Sequence, residues 1–129
     1  MSNDLLGHDM QPPIQKNKSV GITHALRGLL WACGDQINLK IQLTIAIIAI
    51  VMGVSIHIST IEWLFIASAI AVVLTTELLN TSIEQTTDAI TQSYSTYIKR
   101  AKDTGAAAVL IASVYAAIVG TVIFMPKLI

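Results

Sequence analysis

The run from Ala106 to Met125, AAAVLIASVYAAIVGTVIFM, holds twenty residues without an Asp, Glu, Lys or Arg. At about 1.5 Å of rise per residue, a helix of that length reaches about 30 Å, the thickness of a bilayer's hydrocarbon core. Inside that core each backbone N–H and C=O must be satisfied within the segment, so a helix is the form open to a single run. Two further stretches share its character. Ile37 to Ile56 is also twenty residues, with Lys40 and Gln42 near its start and an uninterrupted apolar half after Thr44. Ile61 to Thr76 carries one charge, Glu62, and continues into a polar stretch. Composition agrees: 53% of the 129 residues are hydrophobic and 12% charged, well under the roughly 25% charged of soluble domains. The expected fold class is therefore an all-α membrane protein. Its spans are placed at about 37–56, 61–79 and 106–125, in a single domain over residues 19–129.

The flanks set the orientation. Residues 1–18 are polar, contain Pro12-Pro13, and are expected to form a mobile tail. They lack the apolar core and cleavage site of a secretory signal, so the N-terminus is expected to be kept. From Ser19, read as an N-cap, Val20, Thr23, Leu26 or Arg27, Leu30 and Trp31 recur at spacings of three and four. That pattern predicts an amphipathic helix on the membrane surface, with Trp31 at the headgroup boundary and Arg27 reaching toward lipid phosphates. Lys16, Lys18, Arg27 and Lys40 precede the first span, and Lys99, Arg100 and Lys102 lie between the second and third. The positive-inside rule puts both regions, and the N-terminus, in the cytoplasm, and the C-terminus outside, with Lys127 as a dissenting cation. A formal net charge of zero gives no basic footprint for nucleic acid. Cys33 is the only cysteine, which excludes an internal disulfide, and reads as a small apolar filler. The spans are rich in Ala, Ser, Thr and Gly, which lets helices approach closely and favours a homo-oligomeric bundle.

Chemistry concentrates where the second span leaves the membrane. Glu77, Asn80, Glu84 and Asp88 fall at offsets of 0, 3, 7 and 11, which a helix gathers within about 80° of one another. Leu78, Leu79, Ile83 and Ile90 take the opposite side, so the helix is expected to pack its apolar face on neighbours and turn its carboxylates to a partner or cavity. An ionisable group at the end of a span marks a functional site by default, and Asn80, one turn on, is the nearest orienting partner for Glu77. Neither phosphate-cradling glycine loop is present, and there is no Cys/His metal spacing. Magnesium is typically held by one or two carboxylates plus substrate phosphates, and phosphoryl transfer needs a base at the attacking hydroxyl and cations over the developing charge. Glu84 suits the first role, and Glu77 and Lys102 suit the others. The competing reading is a solvated helix carrying ordinary surface pairs.

The segments E-L-L-N-T-S-I-E at 77–84, Asp88 four residues later, and R-A-K-D-T-G-A-A-A-V-L at 100–110 resemble the small prokaryotic membrane lipid kinases, the diacylglycerol kinase and undecaprenol kinase family. The resemblance covers roughly residues 20–125. It implies a homotrimer of chains, each with a surface helix and three spans, that transfers the ATP γ-phosphate to a lipid alcohol at the cytoplasmic face of the bacterial inner membrane. On matching positions, Glu77 becomes the general base and Glu84 a ligand to the magnesium that accompanies ATP. Lys102 and Asp103 hold the nucleotide with help from Ser93, Tyr94 and Ser95, and Leu30, Trp31 and Ala106 line the lipid path. Asn80 and Asp88 support the site.

Two positions depart from the family. A glutamate usually precedes the first span and joins the metal site; Gln36 stands there, and a neutral amide is a weaker magnesium ligand. Asp35 is adjacent, but one residue along a helix turns a side chain by about 100°, so it substitutes only if the backbone differs locally. His24 stands at a nucleotide-contact position where the diacylglycerol kinases carry Tyr. The 100–109 segment is similar to the diacylglycerol kinases, and H-I-S-T-I-E-W at 57–63 looks more like the undecaprenol kinases. The expected acceptor is diacylglycerol, with undecaprenol as the alternative. A weakened relative, on account of Gln36, and an ion carrier titrating at Glu77 remain as further readings.

Overall fold

The computed structural model describes residues 21–90, 93 and 95–129. They form four helices and no strand: α1 (Gly21–Asp35), α2 (Ile37–Ser55), α3 (Thr60–Ile90) and α4 (Thr96–Leu128). The expected N-cap Ser19 lies outside the described residues. Three helices, α2, α3 and α4, are long and apolar enough to cross a membrane, which bears out the all-α, three-span expectation. α3 packs most extensively on α4, α2 packs chiefly on α3, and α1 touches α2 and α3 only lightly.

α3 and α4 are longer than the spans read within them. At about 1.5 Å per residue, Glu77 lies about 24 Å along α3 from Ile61, just inside a 30 Å hydrocarbon core, and Glu84 about 35 Å, just beyond it. The basic segment Lys99 to Lys102 is the first part of the same helix as the third span.

The α2–α3 turn shows why the chain reverses where it does. Ile58 N–H donates to Gly53 O at 3.2 Å and His57 N–H to Val54 O at 3.3 Å, the paired bonds that close a helix around a left-handed residue. That residue is His57, with φ of 52°. Gly53 is buried, and a Cβ there would sit 2.9 Å from Trp63 Cη2, so the glycine lets the indole of α3 lie against α2. α3 then opens on a capping box: Ser59 N–H donates to Glu62 Oε2 at 2.7 Å and Glu62 N–H to Ser59 Oγ at 3.3 Å. Glu62 Oε1 also meets Lys127 Nζ at 3.1 Å, so the dissenting cation of the C-terminal end has a carboxylate beside it. The apolar core, with Ile58, Ile66, Val119, Ile123 and Phe124, fills this end of the bundle.

A non-glycine residue in the left-handed region is held at a cost of about 1–2 kcal/mol. His57→Gly is accordingly expected to stabilise the turn by up to about 1 kcal/mol after the added freedom of the unfolded chain is counted, read as a raised thermal unfolding midpoint in detergent.

Candidate functional site

At the opposite end of the bundle from that core, the polar stripe of α3 faces inward at Glu77 and Asn80, is half-buried at Glu84 and emerges at Asp88. Glu77 is 3% exposed, and Asn80, Thr81 and Thr87 are also buried. Leu79 and Ile90, on the other side of the helix, are 60% and 72% exposed. The inward turn of Glu77 and Asn80 fits the expectation that the carboxylates would face a partner or cavity, whereas the exposure of Leu79 and Ile90 departs from the expected packing of the apolar face. For Leu79 the reason is the solvent: a helix in a bilayer loses nothing by turning Leu outward, whereas polar groups gain by turning toward one another.

Glu77 is held from α2. Gln42 Nε2 donates to Glu77 Oε2 at 2.9 Å. Asn80, the partner expected for Glu77, instead donates from Nδ2 to Glu84 Oε1 at 2.9 Å. Helix side chains lean toward the N-terminus, so Glu84 reaches back over Asn80 while Glu77 reaches away from it and across to α2. Thr87 Oγ1 closes on the carbonyls of Ile83 and Glu84, which satisfies its hydroxyl within the helix. Among the described residues two buried acceptors find no donor: Gln42 Oε1 and Asn80 Oδ1. The second lies against Gly105 of α4, where a Cβ would be 2.5 Å from Asn80 Oδ1. Gly105 thus allows α4 to close on the stripe.

The cations of α4 stand beside this layer. Lys102 Nζ pairs with Asp88 Oδ1 at 2.5 Å, tying α4 to α3, and Lys99 Nζ pairs with Asp103 Oδ2 at 2.6 Å along α4. Lys99, Asp103 and Asp88 are well exposed and Lys102 is half-buried; exposed pairs contribute about 0–1 kcal/mol each, so the Lys99–Asp103 pair in particular opens readily to a competing ion. Ser95 is the N-cap of α4 and half-buried, with its carbonyl accepting Lys99 N–H at 2.9 Å. Ser93 is exposed; Tyr94 lies outside the described residues. Ala106, His24, Leu30 and Trp31 are all exposed, the last three along α1.

Gln36 sits between α1 and α2 in extended conformation, φ −89° and ψ 115°, and its Nε2 donates to Asp35 Oδ2 at 3.3 Å. The backbone therefore leaves helical register at the position where an adjacent carboxylate would need it to. Among the described residues no three His, Cys, Asp or Glu side chains converge on a metal-sized site. Glu84 has one carboxylate oxygen engaged by Asn80, leaving the other without a hydrogen bond among the described residues. A single carboxylate such as Glu84 fits magnesium that arrives with phosphates and water as its remaining ligands, and does not fit a site that would hold the bare ion tightly.

Between α2, α3 and α4 runs an apolar cleft of about 490 Å³, with Gln42 at one end and Phe124 at the other, walled by small residues such as Ala46, Ala69 and Ala116. Gln42 escaped the sequence reading. The only signal was a long amide inside an otherwise apolar run, which pointed to a partner without naming one.

Residues 23–124 match the model of the family described as prokaryotic diacylglycerol kinase. The chain belongs to that family. It is similar to the undecaprenol kinase of Bacillus subtilis, at 37% identity over 105 residues covering 81% of this chain and 85% of that one. It is 33% identical to a diacylglycerol kinase of Synechocystis over 116 residues, 89% of this chain and 66% of the relative. Against the diacylglycerol kinase of Escherichia coli K12 the identity is 29% over 109 residues, 79% of this chain and 89% of the relative. The family resemblance drawn from the 77–84 and 100–110 segments is thereby established, and with it a multi-pass membrane protein of a lipid kinase family.

The contact between α4 and the stripe is the tightest constraint on this prokaryotic diacylglycerol kinase family member's polar layer. Gly105→Ala is expected to push Asn80 off Glu84 and destabilise the α3–α4 packing by about 1–3 kcal/mol, measured as a lowered unfolding midpoint in detergent together with reduced turnover.

Proposed function

We propose that the chain transfers the γ-phosphate of ATP to the hydroxyl of a membrane lipid alcohol at the cytoplasmic boundary of the bacterial inner membrane, with its N-terminus inside and C-terminus outside. The observation that carries this is Glu77: a carboxylate 3% exposed, about a turn inside the membrane boundary, hydrogen-bonded at one oxygen by Gln42 and at the other by no described residue. That second oxygen, Oε1, is placed to take the proton from a lipid hydroxyl whose chain lies in the apolar layer. The depth matters because water, the competing acceptor, is scarce there.

Glu84, a turn or two nearer the cytoplasm, would hold the metal with Gln36, and Asn80 keeps its carboxylate oriented. Magnesium held there with ATP would supply neutralisation of the phosphate charge. Lys102 and Asp103 meet the nucleotide once their partners Asp88 and Lys99 give way, with Ser93, Tyr94, Ser95 and His24 at its edges. Leu30 and Trp31 on the surface helix and Ala106 at the start of the third span guide the lipid. Exposed apolar faces on α2 and α4 support assembly as a homotrimer.

Two acceptors fit. The 100–109 segment favours diacylglycerol. The 57–63 segment and the higher identity to the Bacillus undecaprenol kinase favour undecaprenol, toward which the balance moves.

The test follows labelled γ-phosphate from Mg-ATP into each lipid in parallel, with protein purified in mild detergent. Label is expected in one of the two. Glu77→Gln should lower turnover by at least about 100-fold, the scale of a lost general base, with its unfolding midpoint retained. Glu84→Gln should raise the magnesium concentration needed for half-maximal rate. Turnover untouched by both substitutions sinks the assigned roles, and label in neither lipid sinks the substrate class.

A further inference from the structure

We infer that Gln42 is the positioning residue for Glu77, fixing one carboxylate oxygen so that the other is presented to the lipid hydroxyl. This rests on the reading of Glu77 as the base. Three observations carry it. Gln42 makes the one hydrogen bond between α2 and α3 among the described residues, 2.9 Å from its Nε2 to Glu77 Oε2. Its other amide atom, Oε1, is buried with no donor, so the amide leaves half of itself unsatisfied in order to keep the donor on the carboxylate. And it lies at the polar end of the cleft between α2, α3 and α4, where a Leu or Met would fill the space with no unsatisfied group at all.

An amide also suits a base that changes protonation state. Before transfer Glu77 is a carboxylate and needs a donor, which Nε2 provides. During transfer the lipid O–H bond breaks, its proton goes to Glu77 Oε1, and the alcohol oxygen bonds to the γ-phosphorus as the bond to the departing ADP oxygen breaks. Glu77 is then a neutral acid. With the proton on Oε1, Oε2 remains an acceptor, so Gln42 Nε2 keeps the same hydrogen bond in both states without moving. An apolar residue can do this in neither.

The substitution Gln42→Met keeps length and volume in an apolar span while removing the donor. It is expected to lower kcat by about ten- to a hundredfold, the scale of a misplaced reacting group, with KM for ATP and for the lipid and the unfolding midpoint near those of the unaltered protein. A second readout does not depend on turnover. The infrared carboxylate band of Glu77, isolated as the difference between the unaltered protein and Glu77→Gln, is expected to shift in Gln42→Met, and the Gln42→Met difference is expected to vanish in the Glu77→Gln background. Gln42→Leu repeats both measurements with a second apolar side chain. Full kcat in folded Gln42→Met overturns the inference, as does a fall in kcat that follows the unfolding midpoint with the Glu77 band unmoved, which marks a packing role. If Glu77→Gln is inactive and Gln42→Met fully active, only this inference is lost. If Glu77→Gln itself turns over, the reading of Glu77 as base fails and takes this inference with it.

Discussion

Placing a carboxylate inside a membrane bundle is the constraint on which the rest depends. A charge at that depth is tolerated only when it faces protein and finds a partner. Glu77 does so through Gln42, one side-chain hydrogen bond that joins α2 to α3. Asn80 and, in part, Glu84 turn inward with it on the same side of an unbroken helix, while Asp88, further along, is exposed. α4 in turn has to come close enough to shield the stripe, and Gly105 is where it does. Exposed Leu79 and Ile90 follow from the same choice: they take the surface that the polar residues vacate.

The two ends of the bundle are held by different physics. The end at the α2–α3 turn is closed by local backbone geometry and apolar packing: the left-handed turn at His57, the Ser59–Glu62 capping box, Trp63 on Gly53, and the Ile58–Phe124 core. The end at Glu77 depends on side-chain hydrogen bonds and on two partly exposed ion pairs. Apolar packing does not reorganise for a polar ligand, whereas solvated pairs exchange partners at little cost. Rigidity therefore sits away from the carboxylates, and adaptability beside them.

Much of this was legible in the residues. The charge-free run Ala106 to Met125 and the continuity of Ile61 to Thr76 with Glu77 gave three spanning helices, because length and polarity in a bilayer leave few alternatives. The 77–84 and 100–110 segments gave the family. That Leu79 would stay exposed was not legible, because the amphipathic rule for water assigns apolar residues to the core and a lipid surround removes that preference. Nor was the exchange of partners, in which Gln42 takes Glu77 and Asn80 takes Glu84. Helical spacing reports neighbours within one helix, and the decisive partner came from another, thirty-five positions earlier. The same holds for Asn80 and Gly105, whose contact exists only once α3 and α4 are packed.

α4 joins Lys99 to Lys102 and the third span in one 33-residue helix, and α3 likewise carries Glu77 and Glu84 on one rod. Neither has a flexible joint at the membrane boundary. A bilayer thicker or thinner than the apolar length is met by tilting such helices rather than by bending them, and tilt swings the ends that carry the cations sideways while raising or lowering Glu77 against the headgroups. The register between Glu77, the cations and the lipid surface is thus a mechanical property of the membrane as much as of the chain, and bilayer thickness becomes a variable that tunes this polar layer.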